Sequence, residues 1–264
     1  MHVEYWHKQS DKPLYKELLW DKPENKRHAG KLLIIGGNLH SFVAPATAFT
    51  ASEQAGIGTA KVLLPQALQK IVGNVIENGE FAPSNNSGSF ASDALAEWLN
   101  YADWADGVLL AGDFGRNSET AVVLEQFLSK FSGQVSITQE GLDYFMINPK
   151  NLLTRSNTTI VTSFAQLQKL GMVAHFNNAF TFDMPVANMV NNLHDLTNLY
   201  PINIVLLHDD IFYTARGGEV CTTKTSKSNQ MWRVKTATHV SVWTLQNPSK
   251  IFESLATAVY ELIN

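Results

Sequence analysis

The sequence predicts a three-layer α/β/α fold: one mostly parallel central sheet, helices on both faces, and an antiparallel meander near the C-terminal end. Three observations predict it. Short apolar runs such as "LLII" (32–35) alternate with longer helical stretches, which is the rhythm of strand–helix–strand units in a parallel sheet. The apolar runs are continuous rather than alternating, as strands covered on both faces require. After Ile202 the rhythm changes, and "NIVLLHDDIFYTARGGEVCTTKT" contains three β-branched runs divided by Asp209-Asp210 and Gly217-Gly218, both natural hairpin turns.

Residues 1–30 are aromatic and charged without periodicity, and read as a segment wrapped over a neighbouring surface. Leu32 to Ile35 is the first buried strand. Ser41 is placed to cap a helix whose early Pro45 is tolerated because the first turn has no internal N–H partners. That helix carries Ala44, Ala46, Ala48, Ala51 and Ala55, small enough to lie close to a sheet or a second helix, and Gly56 ends it. Thr59–Leu64 follows as a strand, "APSNNSGSFAS" (82–92) as a mobile surface loop, and Ala91–Tyr101 as a helix with Leu95, Trp98 and Leu99 on one stripe. Gly107–Ala111, Gln134–Thr138 and Thr159–Thr162 read as strands, Glu119–Phe131 and Ala187–Leu199 as helices, and Pro248–Ile263 as a final amphipathic helix.

Composition bounds the function. The 264 residues suit one domain, 1–264, with 45% hydrophobic and 17% charged residues, far from a disordered chain. A formal net charge of -4 gives no electrostatic reason to expect nucleic acid or an anionic membrane as partner. Cys221 is alone, so no internal disulfide forms; with no signal-peptide pattern and no apolar run approaching ~20 residues, a cytoplasmic location is expected. Six tryptophans, including Trp6, Trp20, Trp98 and Trp104 in polar contexts, point to a homo-oligomer.

No familiar phosphate loop is present. "GGNLHS" lacks the later glycines of a dinucleotide turn, and "GIGTA" lies after a helix, where a C-cap explains it. Gly36-Gly37 nevertheless occupies the carboxyl end of a strand before a helix, where open α/β sheets bind ligands; a tight turn needing positive φ is the alternative. "LLAGDFGRN" (109–117) is a second such turn, and its Asp113 is either a polar wall of a site or a turn-capping residue. His208-Asp209-Asp210 has no third ligand nearby in sequence, so a hairpin is preferred over a metal site and no metal is assigned. Lys224, Lys227, Arg233 and Lys235 are either a phosphate-attracting group or charges protecting an edge strand.

Taken together, "PENKRHAGKLLIIGG", "APATAFTASEQAGIGTAKVLLP" and "LLAGDFGRN" resemble the ADP/ATP-dependent NAD(P)H-hydrate dehydratases of the ribokinase-like superfamily. The resemblance covers roughly residues 20–222 and is most specific in its first third. It implies a ribokinase-like fold and a reaction in which ATP or ADP, with Mg, phosphorylates hydrated NADH or NADPH before phosphate is eliminated. It places substrate near Gly36, Gly37, Ala44, Gly112 and Asp113, and the nucleotide near His208 and Asp209. The family's G-P-G-L-G corresponds to Ala111-Gly112-Asp113-Phe114-Gly115, its D-A-D-A-L to Thr138-Gln139-Glu140-Gly141-Leu142, its T-P-H to Thr162-Ser163-Phe164 and its L-K-G to Leu207-His208-Asp209. Of the ligand-facing positions only Ala44 is kept. The family's G-[ST]-G-D, an anion hole followed by the base, has no counterpart: no glycine follows Gly218, and "MWRVKTATHVSVWTLQ" has the β-branched alternation of a strand.

The expectation is therefore a catalytically impaired relative that binds a nucleotide or small metabolite, with no catalytic residue assigned. The alternatives are an active dehydratase using replaced residues and a small-alcohol kinase.

Overall fold

Alternate residues of each strand feed two cores, one on either face of a single sheet. The computed structural model describes residues 3–73, 79–226 and 231–264. The first third contains β1 (Trp6–Gln9), α1 (Lys16–Trp20), β2 (Lys31–Gly36), α2 (Val43–Gln54), β3 (Thr59–Pro65), α3 (Gln69–Val72) and β4 (Gly79–Ala82). The middle contains α4 (Leu95–Trp104), β5 (Gly107–Gly112), α5 (Ser118–Lys130), β6 (Gln134–Thr138), α6 (Gly141–Tyr144), α7 (Lys150–Leu153), β7 (Thr158–Thr162) and α8 (Phe164–Val173). The rest is α9 (Val186–Leu199), β8 (Asn203–His208), β9 (Ile211–Arg216), β10 (Glu219–Lys224), α10 (Trp232–Gln246) and α11 (Ile251–Ile263). The strands lie in the order β1-β10-β9-β8-β7-β6-β5-β2-β3-β4. Among the paired strands of the described residues, only β8–β9 and β9–β10 are antiparallel.

Leu33, Ile35, Leu110, Ile137 and Ile160 face one core with Trp98, Phe127, Leu167 and Leu193 of α4, α5, α8 and α9. Leu32, Ile34, Leu109, Val161 and Val205 face the other, with Ala48, Val240 and Leu255 of α2, α10 and α11. The three-layer fold and the meander expected from the sequence are present. The alanines of α2 bury Ala44, Ala48 and Ala51, and the helix packs directly against α10.

Four local expectations are corrected. The segment 232–246, expected as a strand, is the 15-residue helix α10, with Val234 and every residue from Thr236 to Thr244 buried. Its β-branched residues cost less than about 0.7 kcal/mol each as helix formers, and burial between the sheet, α2 and α11 outweighs that. The hydroxyls turn inward: Thr238, Ser241 and Thr244 donate to the carbonyls of Val234, Ala237 and Val240 at 2.8, 2.6 and 2.6 Å, so a helix that looks polar in sequence is buried without stranding those groups. Arg233 and Lys235 are consequently on a helix rather than an edge strand, and Lys227 lies outside the described residues.

The N-terminal segment, expected to have no regular element, supplies the strand β1, paired in parallel with β10 from Trp6↔Val220 to Gln9↔Thr223. The edge is therefore β1, not the meander. The stretch 82–92 is not a free loop: Phe90 is fully buried, and Ser84 and Phe90 form a β-bridge. Trp98, counted as interface surface, is the centre of an aromatic cluster with Phe90, Phe114 and Phe127 at centroid distances of 4.8, 6.0 and 5.6 Å. Of the four tryptophans cited, only Trp20 is strongly exposed, at 87%.

Candidate functional site

The carboxyl ends of β2, β5, β6 and β7 open at one end of the sheet, where α/β folds bind ligands. Two of the predicted glycines have a packing role there. A side chain on Gly36 would place its Cβ 2.4 Å from the Gly112 carbonyl, which accepts from the Gly37 amide at 2.9 Å. A side chain on Gly112, at φ +114°, would meet Gln139 at 2.7 Å. Neighbouring backbones thus fill the space that these glycines leave.

Asp113 has the defining position. Its backbone is left-handed, φ +60°, and Asn38 Nδ2 holds its carbonyl at 2.6 Å. Its Oδ2 accepts the Ala44 amide at 2.7 Å. Ser41, expected as the cap of α2, does not cap it: the helix starts from Phe42 with no side-chain cap of its own. The missing acceptor comes from Asp113 in the turn after β5, so a carboxylate stands at the helix end where an anionic ligand would otherwise be favoured.

Beside it lies a polar network that the sequence reading did not assemble. Glu140 accepts the Phe114 amide at 2.7 Å. Burial pushes the Glu140 carboxyl up from its ordinary value; backbone N–H donors oppose the shift and the Asp113 charge adds to it. Gln166 donates to the Gln139 carbonyl at 2.8 Å and to Asp143 at 3.0 Å. Arg233, in the first turn of α10, donates to Gln166 Oε1 at 3.0 Å; burial lowers its guanidinium, and the nearby Asp143 and Glu140 oppose that. The signal for Gln166 was available: Ser163-x-x-Gln166 is a capping box that starts α8. The Arg233 contact was not, because it needs α10 to be a helix.

His208 and Asp209 sit further along the sheet, at the end of β8. The His208 ring stacks on Phe164 at 4.3 Å and its Nε2 contacts the Phe182 carbonyl at 2.7 Å. Asp209 and Asp210, at φ +47° and +57°, form the expected hairpin turn. The Cys221 thiol is buried and pushed up to about 12, which makes it a poor nucleophile. Among the described residues no group of three or more His, Cys, Asp or Glu side chains is placed to hold a metal ion.

No family model matches the sequence, and no curated protein matches it. Solved structures do. A ribokinase-like superfamily protein from Enterococcus faecalis superposes with a TM-score of 0.72 at 14% identity, covering 99% of this chain and 88% of that one. The fold is ribokinase-like. The ADP/ATP-dependent NAD(P)H-hydrate dehydratase of Bacillus subtilis, co-crystallised with ATP and Mg, has a TM-score of 0.61 at 12% identity over 94% and 86% of the two chains. The phosphomethylpyrimidine kinase of Clostridium difficile has 0.51 at 11% over 86% and 96%. In this fold Asp113 follows the carboxyl end of β5, and His208 ends a strand three places away in the sheet.

Proposed function

We propose that the protein is a diverged, dehydratase-like member of the ribokinase-like group that binds a small metabolite at the Asp113 crevice and lacks ATP-dependent dehydration. The observation that carries this reading is the bond from the Ala44 amide to Asp113 Oδ2. Ala44 is the one ligand-facing position kept from the resemblance, and its donor is already taken by an internal carboxylate. With Glu140 and Asp143 nearby, the crevice favours a neutral or cationic ligand group over a phosphate. Gly36, Gly37 and Gly112 shape its floor through backbone rather than through side chains.

The donor set does not fit a nucleoside triphosphate. No glycine precedes α10 after Gly218, Arg233 at its first turn is engaged with Gln166, and His208 is engaged with the Phe182 carbonyl. Positioned donors are what phosphoryl transfer requires, and loss of one typically costs about 10²–10³ in rate. Incubation of purified protein with hydrated NADPH and ATP or ADP should give no restored NADPH above background. Turnover of about 1 s⁻¹ or more, the low end of the ordinary enzyme range, would overturn the reading and favour an active dehydratase with replaced residues. Thermal shift with nicotinamide riboside against its 5′-phosphate tests the ligand preference: the riboside should stabilise more, and Asp113→Asn should narrow the difference.

A further inference from the structure

Asparagine is concentrated on α9 where a surface helix ordinarily carries lysine and glutamate. Over its 14 residues α9 has no Lys, Arg or Glu. Asn188, Asn191 and Asp195 are exposed and Asn192 is half-buried beside them, forming one stripe at helical spacing. Asparagine is a weak helix former, so this stripe gives up helix stability that the exposed face of α5, with Glu119, Glu125 and Lys130, keeps. The stripe lines a groove of about 730 Å³, within the roughly 300–1,000 Å³ of small-molecule sites, and the segment 177–185 forms the rest of its lining. Its amides are half-used. Asn178 Nδ2 donates to Asp195 Oδ2 and Asn192 Nδ2 to the Ala179 carbonyl, both at 3.0 Å, while Asn191 Oδ1 accepts the Tyr5 hydroxyl at 2.9 Å. These bonds fix three amides and leave Oδ1 of Asn178 and Asn192 as acceptors and Nδ2 of Asn191 as a donor. Asp183 and Asp195 line the groove and no cationic side chain does; the uncapped start of α9 offsets about half a charge. A smaller cleft of about 320 Å³ shares Asn177, Asn178 and Ala179 with the groove and adds Met172, Phe176 and Phe180, the two rings stacked at 5.8 Å.

We propose that this groove binds an uncharged carbohydrate of about disaccharide length. Hydrogen-bonding capacity selects the class. A hydroxyl both donates and accepts, so a row of hydroxyls satisfies the free amide oxygens, the carboxylates and the Asn191 amide together. An ammonium has no acceptor for Asn191 Nδ2, while a carboxylate or phosphate has no donor for the amide oxygens and is repelled by Asp183 and Asp195. From Asn188 to Asp195 the stripe runs about 10 Å along the helix axis at 1.5 Å per residue, the length of two sugar rings. The C–H face of a ring meets an aromatic surface at Phe176 in the adjoining cleft. The groove shares no residue with the Asp113 network and does not depend on the function proposed there.

The test titrates the full chain with cellobiose, maltose, lactose and diacetylchitobiose, followed by ¹H–¹⁵N spectra of the asparagine side-chain amides, with digalacturonate and diaminohexane as the anionic and cationic controls. At least one of the four neutral disaccharides should shift the Asn188, Asn191 and Asn192 amides with a Kd of about millimolar or tighter. Both charged controls should bind at least about tenfold more weakly, the worth of roughly one hydrogen bond. The double variant Asn188→Ala/Asn191→Ala should keep or raise the melting temperature, alanine being the better helix former, and should weaken binding by a similar factor. No shift with any of the four sugars at tens of millimolar, equal binding of either control, or unchanged binding in the double variant would each overturn the proposal. A lowered melting temperature in that variant would show that the asparagines serve the helix instead, and would overturn it as well.

Discussion

Asp113 shows how one side chain can serve the fold far from its own strand. Its carboxylate takes the place of the cap that α2 lacks, and a helix cap contributes about 0.5–2 kcal/mol. Asp113→Asn keeps an acceptor and a residue tolerant of positive φ, so its urea midpoint should stay close to wild type. Asp113→Ala loses both and should fall by about 1–2 kcal/mol or more. Asp113→Gly should fall less than Ala, because glycine relieves the φ of +60°. Equal losses for Gly and Ala would show that the backbone geometry is not a factor.

Glu140 adds a pH signature at the same scale. Its folded-state pKa is raised above the ordinary 4.5, burial being the first cause. A carboxyl raised in this direction destabilises the fold as pH climbs through and beyond 4.5, where the unfolded chain ionises first. Glu140→Gln keeps an acceptor for the Phe114 amide, so it should be more stable than wild type at neutral pH, with the gain vanishing below about pH 4. Chemical denaturation at several pH values measures this, and a gain independent of pH would refute the linkage.

Among the elements, α10 has the largest consequence. Its His239 is buried with Nδ1 unpartnered, and burial lowers its pKa to about 4 from 6.5. The unfolded chain therefore takes up a proton near pH 6.5 while the folded chain does so only near 4, so stability is lost as pH falls across that window. The full effect is about 3 kcal/mol at 1.36 kcal/mol per unit. His239→Gln should flatten the loss between pH 6.5 and 4, as read from urea midpoints. The loop 82–92 makes a second prediction. Phe90 is fully buried against Trp98, so Phe90→Ala should cost about 3–5 kcal/mol, whereas a free loop would tolerate it with almost no change in midpoint.

At the scale of the whole molecule, the ribokinase-like sheet sets the Asp113 turn after β5, beside β2 and near the middle of the strand order, while β1 closes one edge. Self-association is our proposal rather than a property read from the core. Burial of Trp98 removes part of its basis, and Ile147, Trp20 and Met172, exposed at 92%, 87% and 76%, are among the large apolar groups left to support it. Light scattering at micromolar concentration should report a multiple of the chain mass; a monomer mass would refute it. No helix among the described residues is long and apolar enough to cross a membrane.

The sequence by itself determined the parallel sheet, the hairpins at Asp209-Asp210 and Gly217-Gly218, and the strand-end position of Gly36-Gly37. Each depends on local facts: continuous apolar runs, turn residues that tolerate positive φ, and strand–helix spacing. Tertiary structure alone decided that 232–246 is a helix, because its hydroxyls find partners one turn back and its β-branched surface finds two neighbours to bury it. It alone brought Asp113 to the Ala44 amide, 69 residues apart in the chain, and Arg233 to Gln166, 67 apart. Such contacts leave no periodicity to read, since the groups that satisfy one another meet only after the sheet has set the order of its strands.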